Sequence, residues 1–132
     1  YSVVLRMLYV TDTHAFLWYI HGTLPKVVDD VFQSAEKGES TLFIPTIVLA
    51  ECLYLVENGR IDLDFNELLE RIEMGRNFIP TSLNFQLVRI LPEIRVSELH
   101  DRIIIATAKI LNAKLITRDR EIKKAGIVEV VW

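Results

Sequence analysis

The sequence has one cysteine in 132 residues, so no internal disulfide can staple it. Cys52 lies in an apolar run and reads as a core residue of a protein kept in a reducing compartment. Histidine is scarce too, with three in the chain and no His/Cys cluster from which to build a zinc site. The longest apolar stretch, residues 42–56, is broken by Pro45 and Glu51 and falls short of the roughly 20 residues a membrane-spanning helix needs. No signal peptide is expected, because the apolar N-terminal segment soon carries Asp12 and His14 and lacks a small-residue cleavage site. These absences point to a cytoplasmic protein with no membrane segment. Positive charge is not in excess either: the net charge is −3, which argues against a protein that coats nucleic acid by bulk attraction. An enzyme with an acidic centre and a few basic residues around it remains compatible. Repeats, low-complexity stretches and linkers are absent. Tyr1 is not an initiator, so the natural start is expected either in a longer product or at Met7.

What is present fits a single compact domain spanning residues 1–132. Apolar residues make up 51% of the chain, enough to cover a sheet on both faces, and the 25% of charged residues is ordinary for a folded globular protein. Residues 8–11 are short, apolar and β-prone, and they end at Asp12. A short helix is expected over 13–20, then a second one that starts at Thr23-Leu24-Pro25 with Thr23 as N-cap and runs to about Gly38. A strand over 41–44 precedes a helix over 46–57 closed by Asn58-Gly59. Phe65, Leu68, Leu69 and Ile72 give helical spacing over 64–74. Further on, the pattern predicts a strand over 77–80, helices over 83–91 and 100–112, a strand over 114–117, a helical turn over 121–124 and a last strand over 127–131. Short apolar strands alternating with helices predict a parallel sheet covered on both faces, a three-layer α/β/α sandwich. In such a fold, ligands bind beyond the carboxyl ends of the strands, near the point where the strand order reverses.

Four carboxylates have positions that matter for this rule. Asp12 directly follows the first strand and Asp119 follows the fourth, although each would also serve as a turn residue or N-cap. Glu51 is the one charged residue between Ile47 and Val56. It must meet a cleft, a compensating cation or donor, or a solvated helix edge, because an unpaired buried carboxylate costs several kcal/mol. Asp101 stands in the first turn of an apolar helix, where the helix dipole alone would also favour it. Glu121 is a candidate fifth carboxylate, or simply a solvated charge. Acids gathered in one pocket repel unless they are protonated or bridged by a cation. A site made of oxygen ligands points to Mg²⁺ or Mn²⁺ and to chemistry on phosphodiesters.

The motifs carrying these acids resemble those of PIN domains. Asp12-Thr13-His14-Ala15-Phe16-Leu17-Trp18 resembles the opening of that family, and Ala50-Glu51 its second acidic position. The segments from His100-Asp101-Arg102 to Ala108 and from Leu115 to Asp119 resemble its paired C-terminal motifs. The resemblance runs from Tyr9 to Val131, in the family's order. It implies metal-dependent endoribonuclease activity, with Asp12, Glu51, Asp101 and Asp119 as the metal-binding, catalytic carboxylates and Thr117 and Thr13 in support. A short chain of this kind is similar to the VapC-type toxins of type II toxin–antitoxin pairs, which implies a homodimer and a cognate antitoxin. An RNA-processing nuclease outside such a pair is the alternative within the family.

Arg102, Arg118 and Arg120 flank two of the acids and are expected either to hold RNA phosphates or to pair with carboxylates. His14 and His100 would touch RNA, assist proton transfer or play a structural part. Trp18, Trp132 and Tyr54 read as core or dimer-interface residues. Three other readings fare worse. A receiver-like signalling module wants an acidic pair after the first strand, where this chain has Asp12-Thr13. A phosphatase with Asp12 as nucleophile wants an acid two residues later, where His14 stands. A scaffold with a PIN fold would have no need of all four acids.

Overall fold

The computed structural model describes residues 6–132. Tyr1, and with it the question of the natural start, lies outside the described residues. The chain runs β1 (Met7–Thr11), α1 (Thr13–His21), α2 (Lys26–Glu36), β2 (Ser40–Pro45), α3 (Thr46–Glu57), α4 (Phe65–Met74), β3 (Phe78–Thr81), α5 (Phe85–Ile90), α6 (Leu99–Leu111), β4 (Lys114–Ile116), α7 (Arg120–Ala125) and β5 (Val130–Val131). A single 3₁₀ turn, Leu91–Glu93, follows α5.

All neighbouring strands are parallel, and the sheet order is β3-β2-β1-β4-β5. The chain therefore moves outward from β1 to β3, then returns to the other side of β1 to lay down β4 and β5. The order reverses between β1 and β4, which makes their carboxyl ends the expected binding position. Right-handed crossovers put the helices joining β1, β2 and β3 on one face and those joining β3, β4 and β5 on the other. The observed packing of α1 on α3, α3 on α4 and α5 on α6 agrees with that division. The expected three-layer α/β/α sandwich is the fold.

The central strands are apolar on both faces because both are covered. Val10, Leu42, Ile44, Leu115 and Ile116 are all fully buried, and Phe16, Phe32, Val48, Ile104 and Ile105 pack onto them from the helices. Cys52 belongs to this core, as expected, and burial pushes its thiol up to about 12, with the Glu51 charge adding to the shift.

Local chemistry sets the element ends. Asp12, Asp64, Asn84 and Asp119 each cap a helix by accepting an amide hydrogen three residues on. Helix α1 stops at Gly22 and α6 at Asn112, both in the left-handed conformation that residues of these types tolerate.

Several boundaries differ from the sequence reading. Thr23 does not cap α2; Pro25 stands before its first turn, and the Thr23 hydroxyl turns back to donate to the Trp18 carbonyl. Helix α5 starts at Phe85 because Asn84 supplies the cap. The last strand is two residues long, not five, since it is an edge strand that pairs only with Leu115 and Ile116. Strand β3 is displaced by one residue, although the Asn77 carbonyl still accepts from the Leu42 amide. Tyr54 is not a core residue, being 61% exposed, while Trp18 and Trp132 are half-buried. Among the described residues no helix is long and apolar enough to cross a membrane.

Candidate active site

The reversal of strand order brings two acids together at the carboxyl edge of the sheet. Asp12 leaves β1 and caps α1, its Oδ1 accepting the Ala15 amide at 2.9 Å. Its other oxygen, Oδ2, accepts the Thr117 hydroxyl at 2.5 Å, a contact spanning 105 positions of sequence. Thr117 sits just past β4, fully buried, and its Oγ1 also accepts the Asp119 amide at 3.0 Å. One hydroxyl thus ties the ends of β1 and β4 together and sets the spacing of the two acids. Asp119 in turn caps α7, its Oδ1 accepting the Ile122 amide at 3.0 Å. Both strand-end aspartates are N-caps as well as cleft residues, so the two readings of each are compatible.

Helices α3 and α6 supply the remaining acids. Glu51 is half-buried, and its Oε1 is shielded from solvent without a hydrogen-bond partner. His100 Nδ1 lies 4.0 Å from that oxygen. Asp101, in the first turn of α6, shares the same cleft of about 520 Å³ with Asp12, Glu51 and Asp119. Thr13, His14, Trp18, His100, Glu98 and Arg118 complete most of its wall.

The electrostatics follow from this crowding. Asp101 is pushed up to about 6, first by burial and then by Glu98, Asp119, Asp12 and Glu51. Asp12 is also raised, with burial outweighing the Thr117 and Ala15 hydrogen bonds and the His14 charge that favour its ionised form. Asp119 adds a smaller upward push.

Among the described residues no three acidic, histidine or cysteine side chains stand close enough in this arrangement to grip one ion. The donor chemistry still suits a hard divalent cation. The acids offer oxygen alone, Glu51 Oε1 is buried and unpartnered, and the Asp101 carboxyl is pushed up by burial and then by the surrounding acids. A cation that draws the carboxylates inward would relieve both conditions.

The structure redistributes some of the expected roles. Arg118 and His14 line the cleft; Arg102 and Arg120 do not. Arg102 is turned away, its Nε donating to the Val96 carbonyl, and Arg120 is exposed in the first turn of α7. Glu121 is not a fifth cleft acid, because its Oε1 accepts from the Ser97 amide at 3.3 Å and hydroxyl at 3.2 Å. Thr13 is buried at the cleft wall, with its hydroxyl unpartnered. The fifth acid is Glu98, which the sequence reading missed. Its signal was its place three residues before Asp101, one turn earlier at the start of α6.

Comparison with known proteins bears on the fold and the family. By overall structure the chain is similar to VapBC2 from Rickettsia felis, solved bound to a DNA fragment from its promoter, with a TM-score of 0.74 and 21% identity over 96% of this chain and 99% of that one. It is similar to FitAcB from Neisseria gonorrhoeae, with a TM-score of 0.68 and 21% identity over 94% of this chain and 96% of that one. A toxin–antitoxin complex from Klebsiella pneumoniae gives a TM-score of 0.62 at 20% identity, covering 94% of this chain and 96% of its counterpart. At these identities the likeness speaks for the fold alone. No curated protein matches the chain in sequence. The family model of the PIN domain matches residues 9–128, a span that holds all four strand-end and helix acids, and the chain belongs to the PIN domain family.

Proposed function

We propose that this protein is a divalent-metal-dependent endoribonuclease, a single PIN domain that acts as the toxin of a toxin–antitoxin pair. The observation that carries the reading is the meeting of Asp12, Glu51, Asp101 and Asp119 in one cleft at the carboxyl edge of the sheet. They come from four separate elements, and no single local feature of the chain requires them to converge.

In this reading the four carboxylates hold Mg²⁺ or Mn²⁺, and Thr13 and Thr117 support them. When bound, such an ion orients and ionises a water molecule and stabilises charge on the phosphodiester. The Thr117 hydroxyl keeps Asp12 oriented toward the cleft and favours its charged form, while leaving a lone pair of each Asp12 oxygen free. Asp101, pushed up to about 6, exchanges its proton close to neutral pH. Arg118 and His14, which line the cleft, are the basic groups available to RNA there. Arg102 and Arg120 would meet RNA only outside it. We also read the protein as cytoplasmic and homodimeric. The structural relatives solved as VapBC2 and as a toxin–antitoxin complex support a small antitoxin protein as its partner.

The test is cleavage of a mixed-sequence RNA with Mg²⁺, with Mn²⁺ and with chelator. Asp12→Asn, Glu51→Gln, Asp101→Asn and Asp119→Asn are expected to lose at least about 100-fold in rate, the upper end of what changes around a metal site produce. Cleavage that persists in chelator, or a wild type inert with both metals, would overturn the reading.

A further inference from the structure

The wall of the acidic cleft contains an arginine that is not paired with any of the acids around it. Arg118 lies next to Asp119 in sequence and shares the cleft with Asp12, Glu51, Glu98 and Asp101. None of the three ion pairs among the described residues involves it. Its guanidinium lies instead over the indole of Trp18, 5.5 Å from the ring centroid. Asp119, its neighbour in the sequence, spends Oδ1 on capping α7.

Trp18 is itself held in place. His14, one turn earlier on α1, lies 5.9 Å away at 47°, and Trp132 meets the indole edge-on at 5.5 Å and 63°. A guanidinium held on an aromatic ring keeps in-plane N–H donors free to bind an anion in fork geometry. It is also kept from collapsing onto a carboxylate. A polyanionic strand entering a cleft with five acids needs such an uncommitted cation, because the acids repel its phosphates.

We infer that Trp18, backed by Trp132, positions Arg118 as a clamp for one phosphate of the RNA strand, beside the carboxylates. The inference rests on the RNA-cleaving reading of the cleft. Arg118 makes the contact with the phosphate oxygens. Trp18 and Trp132 are positioning residues that act through it.

The experiment is a titration of the full chain with a fluorescent, mixed-sequence, single-stranded oligoribonucleotide in chelator across a range of salt. KM and kcat for RNA cleavage are measured in parallel with Mg²⁺. Arg118→Ala is expected to weaken binding by about 10-fold, the loss of one charge-assisted contact. The slope of log affinity against log salt should become shallower by about 0.7, one phosphate contact on a single strand. Trp18→Leu should reproduce both changes, Trp18→Phe should restore most of the loss, and the Arg118→Ala/Trp18→Leu double variant should be no worse than Arg118→Ala. In cleavage the effect should fall on KM, with kcat near the wild-type value. Should Trp18→Leu fail to fold by thermal melting, Trp132→Leu, which loosens Trp18 without removing it, takes its place.

The inference is overturned if Trp18→Leu keeps the wild-type affinity and salt slope, or if its loss multiplies with that of Arg118→Ala. A folded Trp18→Phe as weak as Trp18→Leu, or a wild type that does not bind the oligoribonucleotide at low salt, overturns it as well. Binding that depends on Arg118 and Trp18 in a protein that cleaves no RNA would sustain the clamp and refute the nuclease reading.

Discussion

Replacing Asp101 with asparagine separates a metal-binding acid from one that merely starts a helix, and stability reads out the difference without any substrate. The wild-type carboxyl is pushed up to about 6, away from its ordinary 3.8, by burial and by Glu98, Asp119, Asp12 and Glu51. At face value that shift costs the charged form about 3 kcal/mol at neutral pH. The group is only half-buried, so solvent screening brings the cost to about 1 kcal/mol. First-turn placement on α6 favours the charge by about 0.3–1 kcal/mol, but the upward direction of the shift means that burial and repulsion outweigh it. The Asp101→Asn change keeps the size of the side chain and removes its charge. In chelator at pH 7 the variant should therefore be more stable than the wild type by about 1 kcal/mol, or about 4 °C in Tm for a chain of this size.

The pH dependence has a definite sign. Between about 4 and 6 the folded wild type keeps the Asp101 proton while the unfolded chain has lost it, so wild-type stability falls as pH rises through that window. The advantage of the variant should appear over the same window and vanish below it. Added Mn²⁺ should reverse the ranking. An ion at a hundredfold excess over its Kd protects the folded state by about 2.7 kcal/mol, and the variant, short of one ligand, should gain less. The assay is thermal denaturation of both proteins in chelator and in Mn²⁺ at pH 4 and pH 7. Parallel shifts of the two proteins in every condition would remove Asp101 from the proposed metal site.

Thr117→Val should cost about 1.5–3 kcal/mol in denaturant unfolding, since it removes the hydroxyl between Asp12 and Asp119, whereas Thr117→Ser should keep most of the stability. Without that donor the Asp12 carboxyl should titrate higher still, which NMR of the side chain would register. Cys52, fully buried and with its thiol pushed up to about 12, should react with iodoacetamide only as fast as the protein opens; rapid labelling of the native state would contradict its place in the core. Ile105→Ala, deep in α6 with no exposed surface, should lose about 2–5 kcal/mol by leaving a cavity in the core, measured by the same unfolding. Glu98→Gln should bring the Asp101 carboxyl back toward its ordinary range, because Glu98 is its largest charged perturber. An unchanged titration would remove Glu98 from the causes and leave burial and the remaining acids.

Much of this was legible in the sequence because it depends on near neighbours. Alternating strands and helices, the apolar run of α6 and Asp12 and Asp119 at strand ends all follow from spacing of a few residues, as does the burial of Cys52. The resemblance of four short motifs to the PIN family was visible there as well, and the match over residues 9–128 agrees with it. The length of β5 was not legible, because an edge strand extends only as far as its partner pairs with it. Nor was the choice among arginines: nothing local distinguishes Arg102, bound to a backbone carbonyl, from Arg118, laid over an indole 100 residues earlier in the chain. Glu121 and Glu98 exchanged roles for the same reason, the first meeting Ser97 and the second facing Asp101. The Thr117 hydroxyl bridges Asp12 and the Asp119 backbone because β4 lies beside β1, and that adjacency exists only once the chain has doubled back across the sheet. Sequence alone determined which residues offer carboxylate oxygens and at which strand ends and helix turns they stand. Tertiary structure decided which of them share a cleft, since long-range packing, not spacing along the chain, sets the distances on which charge and hydrogen bonding depend.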